Sequence, residues 1–198
     1  MLDDPRDIRI SNALDDLVKK TSEVEDTLHR YLPRTDVRFP PLPVKELDWR
    51  TVEQGDIPAL LDFLKDDPDP KAPFVESRQR RTLESVCSRD REGGCVVLSK
   101  SGEIIACGVF TIGVPDTVAD IENIQVRSDF RRRGIGTWLT ECMIQLAECA
   151  QFLEVELVTL NPAAEEMYRK IGFEDTGWCG YPSGASIFRR SVRSDRGG

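Results

Sequence analysis

A loop of arginines and glycines is the part of this chain whose residues are best suited to do chemistry. Residues 131–136 read Arg-Arg-Arg-Gly-Ile-Gly, between a predicted strand over 118–126 and a predicted helix. Glycines at this spacing let successive backbone N–H groups point at one spot, and the dipole of the following helix favours negative charge there. The loop is therefore predicted to bind a phosphate group. The alternative is an ordinary helix start beside a solvated arginine cluster.

Two common phosphate-binding patterns do not fit this loop. The dinucleotide pattern G-x-G-x-x-G fails because Leu139 stands where the third glycine should be. The strands before the loop also look like an antiparallel meander rather than βαβ units. The P-loop pattern G-x-x-x-x-G-K-[ST] occurs nowhere in the sequence.

A second motif follows the loop and gives it a family context. Residues 161–173 read Asn-Pro-Ala-Ala-Glu-Glu-Met-Tyr-Arg-Lys-Ile-Gly-Phe. The loop matches Q/R-x-x-G-x-G/A and this segment matches N-x(6)-Y followed by Gly-Phe, so the chain resembles the GNAT superfamily of acyl-CoA-dependent N-acyltransferases. The resemblance covers residues from about 47 to 190 and identifies no individual member.

This resemblance implies an α/β fold with a splayed, mostly antiparallel mixed sheet flanked by helices. Acetyl-CoA, the implied acyl donor, would lie between two central strands, with its pantetheine arm on the backbone of Ile124, Gln125 and Val126. Asn161 would hydrogen-bond the cofactor arm, and Tyr168 would lie beside the thioester sulfur. The pyrophosphate would bind the N–H groups and positive charge of the loop residues Arg131, Arg132, Arg133, Gly134, Ile135, Gly136 and Thr137.

Acyl transfer to an amine needs a base and an acid. An amine with a pKa of about 10.4 is almost fully protonated at neutral pH, so a base must remove a proton, usually through water. Glu122 is the candidate base, matching a glutamate of the similar polyamine acetyltransferases; Asp120 on the same face could substitute, and a purely solvent-facing role is the alternative. Tyr168 is the candidate general acid for the thiolate leaving group, with a packing role as its alternative. A backbone N–H of the splayed strand would stabilise the oxyanion.

A covalent mechanism has less support in the sequence. Cys107 lies on a predicted strand, and Cys142 and Cys149 share one face of a predicted helix, where small buried hydrophobic residues are expected. His29 is the only histidine, and a Cys–His pair would require the N-terminal helix to fold back. We therefore expect direct attack by the amine in a ternary complex.

Some aromatic and basic residues leave their roles open. Trp49, Trp178 and Tyr181 either line an acceptor pocket or pack in the core. The basic run over residues 78–81 is expected to be a solvated helix face, with contact to the CoA 3′-phosphate or an acidic partner as the lesser alternative.

Hydrophobic periodicity predicts the elements that must position these residues. Residues 46–190 are expected to form the acyltransferase-like domain, and residues 191–198 a disordered tail. The predicted strands cover 48–52, 95–99, 103–112, 118–126, 152–160, 173–178 and 185–190, and the predicted helices cover 56–64, 75–88, 135–150 and 163–170.

Residues 1–45 are predicted to form an amphipathic helix and a proline-rich connector. Apolar residues in the helix follow a heptad spacing; they are Ile10, Leu14, Leu17, Val24, Leu28 and Tyr31. The helix either covers its own domain or supplies a seam for a homodimer or another partner.

Composition limits the classes of partner. The 198 residues include 27 Lys and Arg and 35 Asp and Glu, a net charge of −8, which disfavours nucleic acid and suits a cationic or amine-bearing acceptor. No apolar run is long enough to span a membrane, and no signal-like segment or metal-ligand spacing occurs. A cytoplasmic, metal-free acetyltransferase is expected. The alternative is a catalytically silent acyl-CoA sensor or scaffold that signals through the N-terminal helix.

Overall fold

The computed structural model describes residues 39–66, 74–89, 91–180 and 184–192. All of these belong to the second of two compact units, residues 33–198. The predicted N-terminal helix with His29, the loop residue Tyr181 and residues 193–198 lie outside the described residues.

In the part of the chain that the structure describes, seven strands form one mixed sheet in the order β1-β2-β3-β4-β5-β7-β6. Only β4 and β5 pair in parallel, and the other neighbours are antiparallel, which confirms the predicted fold class. The strands are β1 (Leu47–Thr51), β2 (Gly93–Ser99), β3 (Ile104–Ile112), β4 (Val118–Val126), β5 (Glu154–Thr159), β6 (Glu174–Gly180) and β7 (Ala185–Ser191). The helices are α1 (Ile57–Asp66), α2 (Glu76–Ser88), α3 (Ile135–Cys149) and α4 (Pro162–Lys170), with short 3₁₀ turns at Gln54–Asp56 and Ser128–Phe130.

The sheet separates two hydrophobic cores. Adjacent residues of β2 point to opposite faces, so Val97 packs in the core under α3 while Val96 packs under α1 and α2. Leu139 and Met143 in the apolar stripe of α3 are fully buried. Helix α3 thus lies on one face of the central strands, and α1 and α2 lie on the other.

The parallel pair β4–β5 separates partway along its length. Its register runs from Val118 opposite Glu154 to Ile121 opposite Leu157 and then stops. Strand β4 nevertheless continues to Val126, still paired with β3. The second half of β4 therefore borders an opening on its β5 side, as the splayed sheet predicted.

A β-bulge lies at the start of this opening. Two residues of β4, Asn123 and Ile124, stand opposite the single Gly108 of β3. Asn123 has a φ of 55°, in the left-handed region that asparagine tolerates better than most residues. A Cβ on Gly108 would lie 2.5 Å from the Ile124 Cδ1, so glycine leaves the room that the bulged side chain needs. The bulge turns the end of β4 away from a regular ladder.

The ends of the domain differ in detail from the predicted boundaries. Strand β7 includes Ser191, and the next residue, Val192, is only 5% exposed, so the packed fold extends beyond residue 190. Strand β5 is shorter than predicted because Phe152 still belongs to the exit turn of α3, where its N–H donates to the Ala147 carbonyl. Within the described residues no helix is long and apolar enough to cross a membrane.

Candidate functional site

The glycine loop forms the N-terminus of α3, directly beyond the opening. Gly134 is the N-cap residue with a φ of 82°, a conformation that favours glycine. The first intrahelical bond runs from the Trp138 N–H to the Gly134 carbonyl at 3.0 Å. The preceding N–H groups of the first turn have no helical acceptor, so those of Ile135, Gly136 and Thr137 are available to an anion. We call the loop and this first turn, residues 131–137, the cradle; these N–H groups are compatible with the predicted phosphate site.

The arginines of the loop hold its shape as well as charging it. The Arg131 Nε donates to the Val126 carbonyl at 2.9 Å, and Arg133 donates to the Asp129 carbonyl at 3.1 Å. The guanidinium groups of Arg127 and Arg133 each lie 4.8 Å from the centre of the Phe130 ring. Arg131, Arg132 and Arg133 remain exposed, so their positive field surrounds the cradle.

The backbone of β4 is divided between β3 and the opening. The Arg127 N–H donates to the Ile105 carbonyl of β3, and antiparallel ladders alternate. Gln125 therefore turns its backbone groups toward β3, while Ile124 and Val126 turn theirs toward the opening. The Gln125 side chain instead ties β4 to α1, since its Nε2 donates to the Phe63 carbonyl at 2.9 Å. Two of the three predicted backbone positions thus face the space where a pantetheine arm would lie.

Glu122 lies where β4 and β5 separate. Its Oε1 accepts a hydrogen bond from the Thr111 hydroxyl at 3.0 Å, and its Oε2 lies 3.8 Å from a guanidinium nitrogen of Arg78. The Glu122 side chain is 25% exposed, so it is held in place yet open to solvent. Neither neighbour is predicted from the sequence, in which Arg78 has the pattern of a solvated helix face. The Arg78 side chain is indeed 71% exposed, but its guanidinium reaches Glu122 of β4.

Asp120 lies on the same face, two residues before Glu122. It stands in register with Glu156 of β5, whose carboxylate bonds Arg189 of β7 at 2.5 Å. Burial, reinforced by the charges of Glu156 and Glu122, raises the pKa of Asp120 to about 6, while Arg189 opposes this shift. The structure thus places two carboxylates in different surroundings on the candidate acceptor face.

Tyr168 is buried on the other side of the opening, in α4. It is 6% exposed and packs against the rings of Phe173 and Phe188, at centroid distances of 5.8 and 6.4 Å. Burial raises the pKa of Tyr168 to about 12, so the phenol is protonated at neutral pH but is a weaker acid than an exposed tyrosine. Asn161, at the start of the same helix, accepts a hydrogen bond from the Ala163 N–H on its Oδ1 at 3.0 Å. This cap leaves the amide nitrogen of Asn161 as a donor.

The remaining sequence candidates have structural roles or lie on the surface. Burial raises the pKa of the Cys107 thiol to about 12, which suppresses the thiolate that a covalent mechanism requires. Trp49 packs between Phe39 and Trp138, whereas Trp178 is 75% exposed. Among the residues that the structure describes, no cluster of three or more His, Cys, Asp or Glu is placed to hold a metal ion.

The candidate groups converge because two neighbouring strands lead to them. Strand β4 carries Asp120 and Glu122 and runs into the glycine loop, while β5 runs through Asn161 into the helix that carries Tyr168. The two strands flank the same opening. An extended, phosphate-bearing ligand would run along β4 in this arrangement, with the candidate base Glu122 on β4 and the candidate acid Tyr168 on the helix after β5.

Comparison with known proteins assigns this arrangement to a family. The model of the Acetyltransferase (GNAT) family matches residues 57–173, more than half of the chain. No curated protein matches the chain significantly.

Solved structures agree on the fold. An acetyltransferase of the GNAT family from Streptococcus pneumoniae has a TM-score of 0.62 at 20% identity, covering 75% of this chain and 100% of that chain. The ribosomal-protein-S18-alanine N-acetyltransferase from Escherichia coli has a TM-score of 0.59 at 20% identity, with coverages of 75% and 95%. A phosphinothricin acetyltransferase from Sinorhizobium meliloti, in complex with AcCoA, has a TM-score of 0.61 at 16% identity, with coverages of 74% and 88%. At these identities the similarity establishes the fold.

Proposed function

Because the chain belongs to the GNAT acetyltransferase family, we propose that it transfers the acetyl group of acetyl-CoA to a primary amine by direct attack in a ternary complex. The observation that carries this proposal is the opening between β4 and β5, which leads to an α3 N-terminus rich in glycine and arginine. The buried Cys107 thiol, kept protonated by its raised pKa, favours direct attack over a covalent enzyme intermediate.

The residues around the opening fit acetyl-CoA. The outward backbone groups of Ile124 and Val126 offer an edge for the pantetheine arm, and the N–H groups of the first α3 turn suit the pyrophosphate. A Cβ on Gly136 would be in ordinary contact with Met167 and Val126, so these two side chains border the N-terminus of α3 beside the opening. Acetyl-CoA supplies the reactive thioester, and the Asn161 amide nitrogen is a donor for its arm.

The proposed proton transfers use groups that the fold already orients. Glu122 takes a proton from the acceptor ammonium through water, and the Thr111 hydroxyl keeps its carboxylate on the acceptor face. Asp120 is the alternative base. Tyr168, which is protonated at neutral pH, donates its phenolic proton to the thiolate as the C–S bond breaks.

The acceptor carries an amine, as a small molecule or at a protein terminus or lysine. The net charge of −8 and the carboxylates at 120, 122 and 156 favour a cationic acceptor over an acidic one.

A cytoplasmic location and a homodimer through residues 1–32 stay predictions from the sequence. Light scattering on a chain without residues 1–32 tests the dimer. The molar mass should halve if these residues form the dimer interface, and should stay that of one chain if they only pack on their own domain.

A thermal shift with acetyl-CoA tests the proposed function. At a hundred times its dissociation constant the ligand adds about 2.7 kcal/mol, or about 5 to 10 °C for a domain of this size. Gly134→Glu should abolish this shift, because it places a strained side chain and a negative charge in the cradle. Gly177→Glu is the matched control: Gly177 also has a positive φ, 72°, and open space around it, but lies on edge strand β6.

The outcomes of this thermal shift experiment distinguish the proposed function from its alternatives. A shift in the unaltered chain and in Gly177→Glu, but not in Gly134→Glu, supports the cofactor site and justifies a screen of amines. No shift in any of them means that the loop is only a helix start, and the proposed function falls. A shift without turnover of any amine supports the sensor or scaffold instead.

A further inference from the structure

A short segment that precedes the family-like region crosses the N-terminus of α3. We call residues 39–44 the strap. The ring centroids of Phe39 and Trp49 lie 4.6 Å apart. The centroids of Trp49 and of Trp138, in the first turn of α3, lie 5.6 Å apart. The indole N–H of Trp138 donates to the Pro40 carbonyl at 2.7 Å, and the Trp138 side chain is almost completely buried, at 3% exposure. The strap is therefore fastened to the helix turn that forms the proposed cradle.

The strap also approaches the glycine loop itself. A Cβ on Gly134 would lie 3.5 Å from the Cβ and Cγ of Pro43. Residues 40, 41 and 43 are prolines, which fix their own φ and carry no N–H. The strap is thus a stiff wall that offers few donors to compete with the cradle for an anion.

The first turn of α3 needs support from outside the helix. Its N-cap, Gly134, makes no side-chain cap bond, in contrast to α4, where Asn161 caps the helix with its own side chain. Uncapped first turns leave several N–H groups without acceptors, and glycine has the most backbone freedom to lose. The strap reaches this same turn at Trp138 and beside Gly134.

We propose that the strap is a positioning element of the cofactor site, acting through Trp138 to hold the first turn of α3 in its anion-binding conformation. This inference rests on the proposed function, since it assumes that CoA binds at the loop. The family match begins at residue 57, so the chain supplies this support from a segment outside the matched region. Fixing the N–H groups before binding lowers the ordering cost that the ligand would otherwise meet.

The test measures the dissociation constant of CoA by calorimetry, well below the unfolding temperature. Phe39→Ala removes the outer anchor of the strap, and Trp138→Phe removes the indole N–H while keeping an aromatic ring. Each should weaken CoA binding by about five- to tenfold. Phe39→Tyr keeps the ring contact and should bind CoA like the unaltered chain.

A matched control separates positioning from general loss of stability. Phe110→Leu perturbs the same core but near the end of α3, where Phe110 lines a cavity with Leu146 and Ala150. It should lower the melting temperature while leaving the CoA dissociation constant within about twofold. Hydrogen exchange of the backbone amides of residues 135–138, measured without ligand, should speed up in Phe39→Ala and Trp138→Phe and not in Phe110→Leu.

The failures of the two proposals are distinguishable. If the unaltered chain does not bind CoA, the proposed function fails and the inference fails with it. If the unaltered chain binds CoA, and Phe39→Ala and Trp138→Phe bind it equally well, only the inference is overturned.

Discussion

At the scale of single residues, the carboxylates of Asp120 and Glu122 on β4 lie in different surroundings and are expected to have different roles. Glu122 is fixed by Thr111 and open to solvent, whereas Asp120 is more enclosed, and its pKa is raised to about 6. We expect Glu122→Gln to lower kcat by about a hundred- to ten-thousandfold. Asp120→Asn should lower it by less than about tenfold, because its carboxylate would act only through the local field.

Steady-state kinetics on an amine that the chain accepts checks this assignment. The dissociation constant of acetyl-CoA should be unchanged in both variants, since neither residue lies in the cradle. The reverse order of the two kcat losses would make Asp120 the base. Equal, small losses would remove both carboxylates from the proton transfer.

Tyr168 combines a packing role with a proposed chemical one. Tyr168→Phe keeps the contacts with Phe173 and Phe188 and removes only the hydroxyl, so the fold should survive while kcat falls by about a hundredfold. Because burial raises the pKa of Tyr168 to about 12, activity of the unaltered chain should not decline through this group below about pH 10. An undiminished kcat in Tyr168→Phe would reduce Tyr168 to a packing residue.

What the sequence could predict at this scale depends on whether the signal was local. The strand Val118–Val126 was predicted correctly to the residue, because apolar and polar residues alternate from Ala119 to Glu122 and again from Ile124 to Val126. The contact of Glu122 with Thr111 was not predictable, since cross-strand neighbours depend on a register that the bulge shifts. Arg78 had the pattern of an exposed helix residue, and only the packing of α2 on the sheet brings it to Glu122. Trp49 stayed undecided for the same reason, because its partners are distant in the sequence.

At the scale of elements, an ion pair fixes the start of α1, the helix that also contacts Gln125 of β4. The two guanidinium nitrogens of Arg50 in β1 each bond one carboxylate oxygen of Asp56 at 2.6 Å. Asp56 also accepts from the Glu53 N–H in a capping box. The hydrogen bonds from Arg50, foremost among these contacts, hold the pKa of Asp56 below its usual range.

Asp56→Asn should therefore destabilise the domain by about 1 to 2 kcal/mol, or about 2 to 8 °C in melting temperature. A carboxylate with a lowered pKa stabilises the fold above its unfolded pKa of about 3.9 and loses this effect as the pH falls through its folded value. The difference between variant and unaltered chain should thus be full at neutral pH and shrink below about pH 4.

Thermal denaturation over a pH series checks this prediction. Glu76→Gln is the matched control, because Glu76 forms an exposed pair with Arg80 one helix turn away, and such pairs contribute little. Its melting temperature should change by less than about 2 °C. An Asp56→Asn variant as stable as this control would contradict a structural role for the Arg50 pair.

At the scale of the whole molecule, the candidate acceptor face costs stability. The chain already carries a net charge of −8, and Asp120 adds a charge that burial and two neighbouring carboxylates disfavour. Sites shaped for chemistry commonly oppose the stability of the fold around them. Replacing such a charge by a neutral isostere should therefore stabilise the domain wherever Asp120 is ionised.

The sign of this effect follows from the raised pKa of Asp120. Its carboxyl holds a proton more tightly in the folded chain, at a pKa of about 6, than in the unfolded chain, at about 3.9. The penalty is absent below about pH 4, grows between about pH 4 and 6 and is complete above that. Asp120→Asn should raise the melting temperature at pH 7.5 by about 2 to 4 °C, corresponding to about 1 kcal/mol after allowing for solvent screening.

The gain should disappear near pH 4, opposite in sign to the loss in Asp56→Asn. Calorimetric scans of both variants over one pH series check the pair together, with Asp62→Asn on the exposed side of α1 as a control that should follow the unaltered chain. A stabilisation by Asp120→Asn that persists unchanged at pH 4 would show that packing, rather than the ionised carboxylate, sets its effect. A gain that vanishes as the carboxyl takes up its proton would show that the fold tolerates a destabilising charge on the candidate acceptor face.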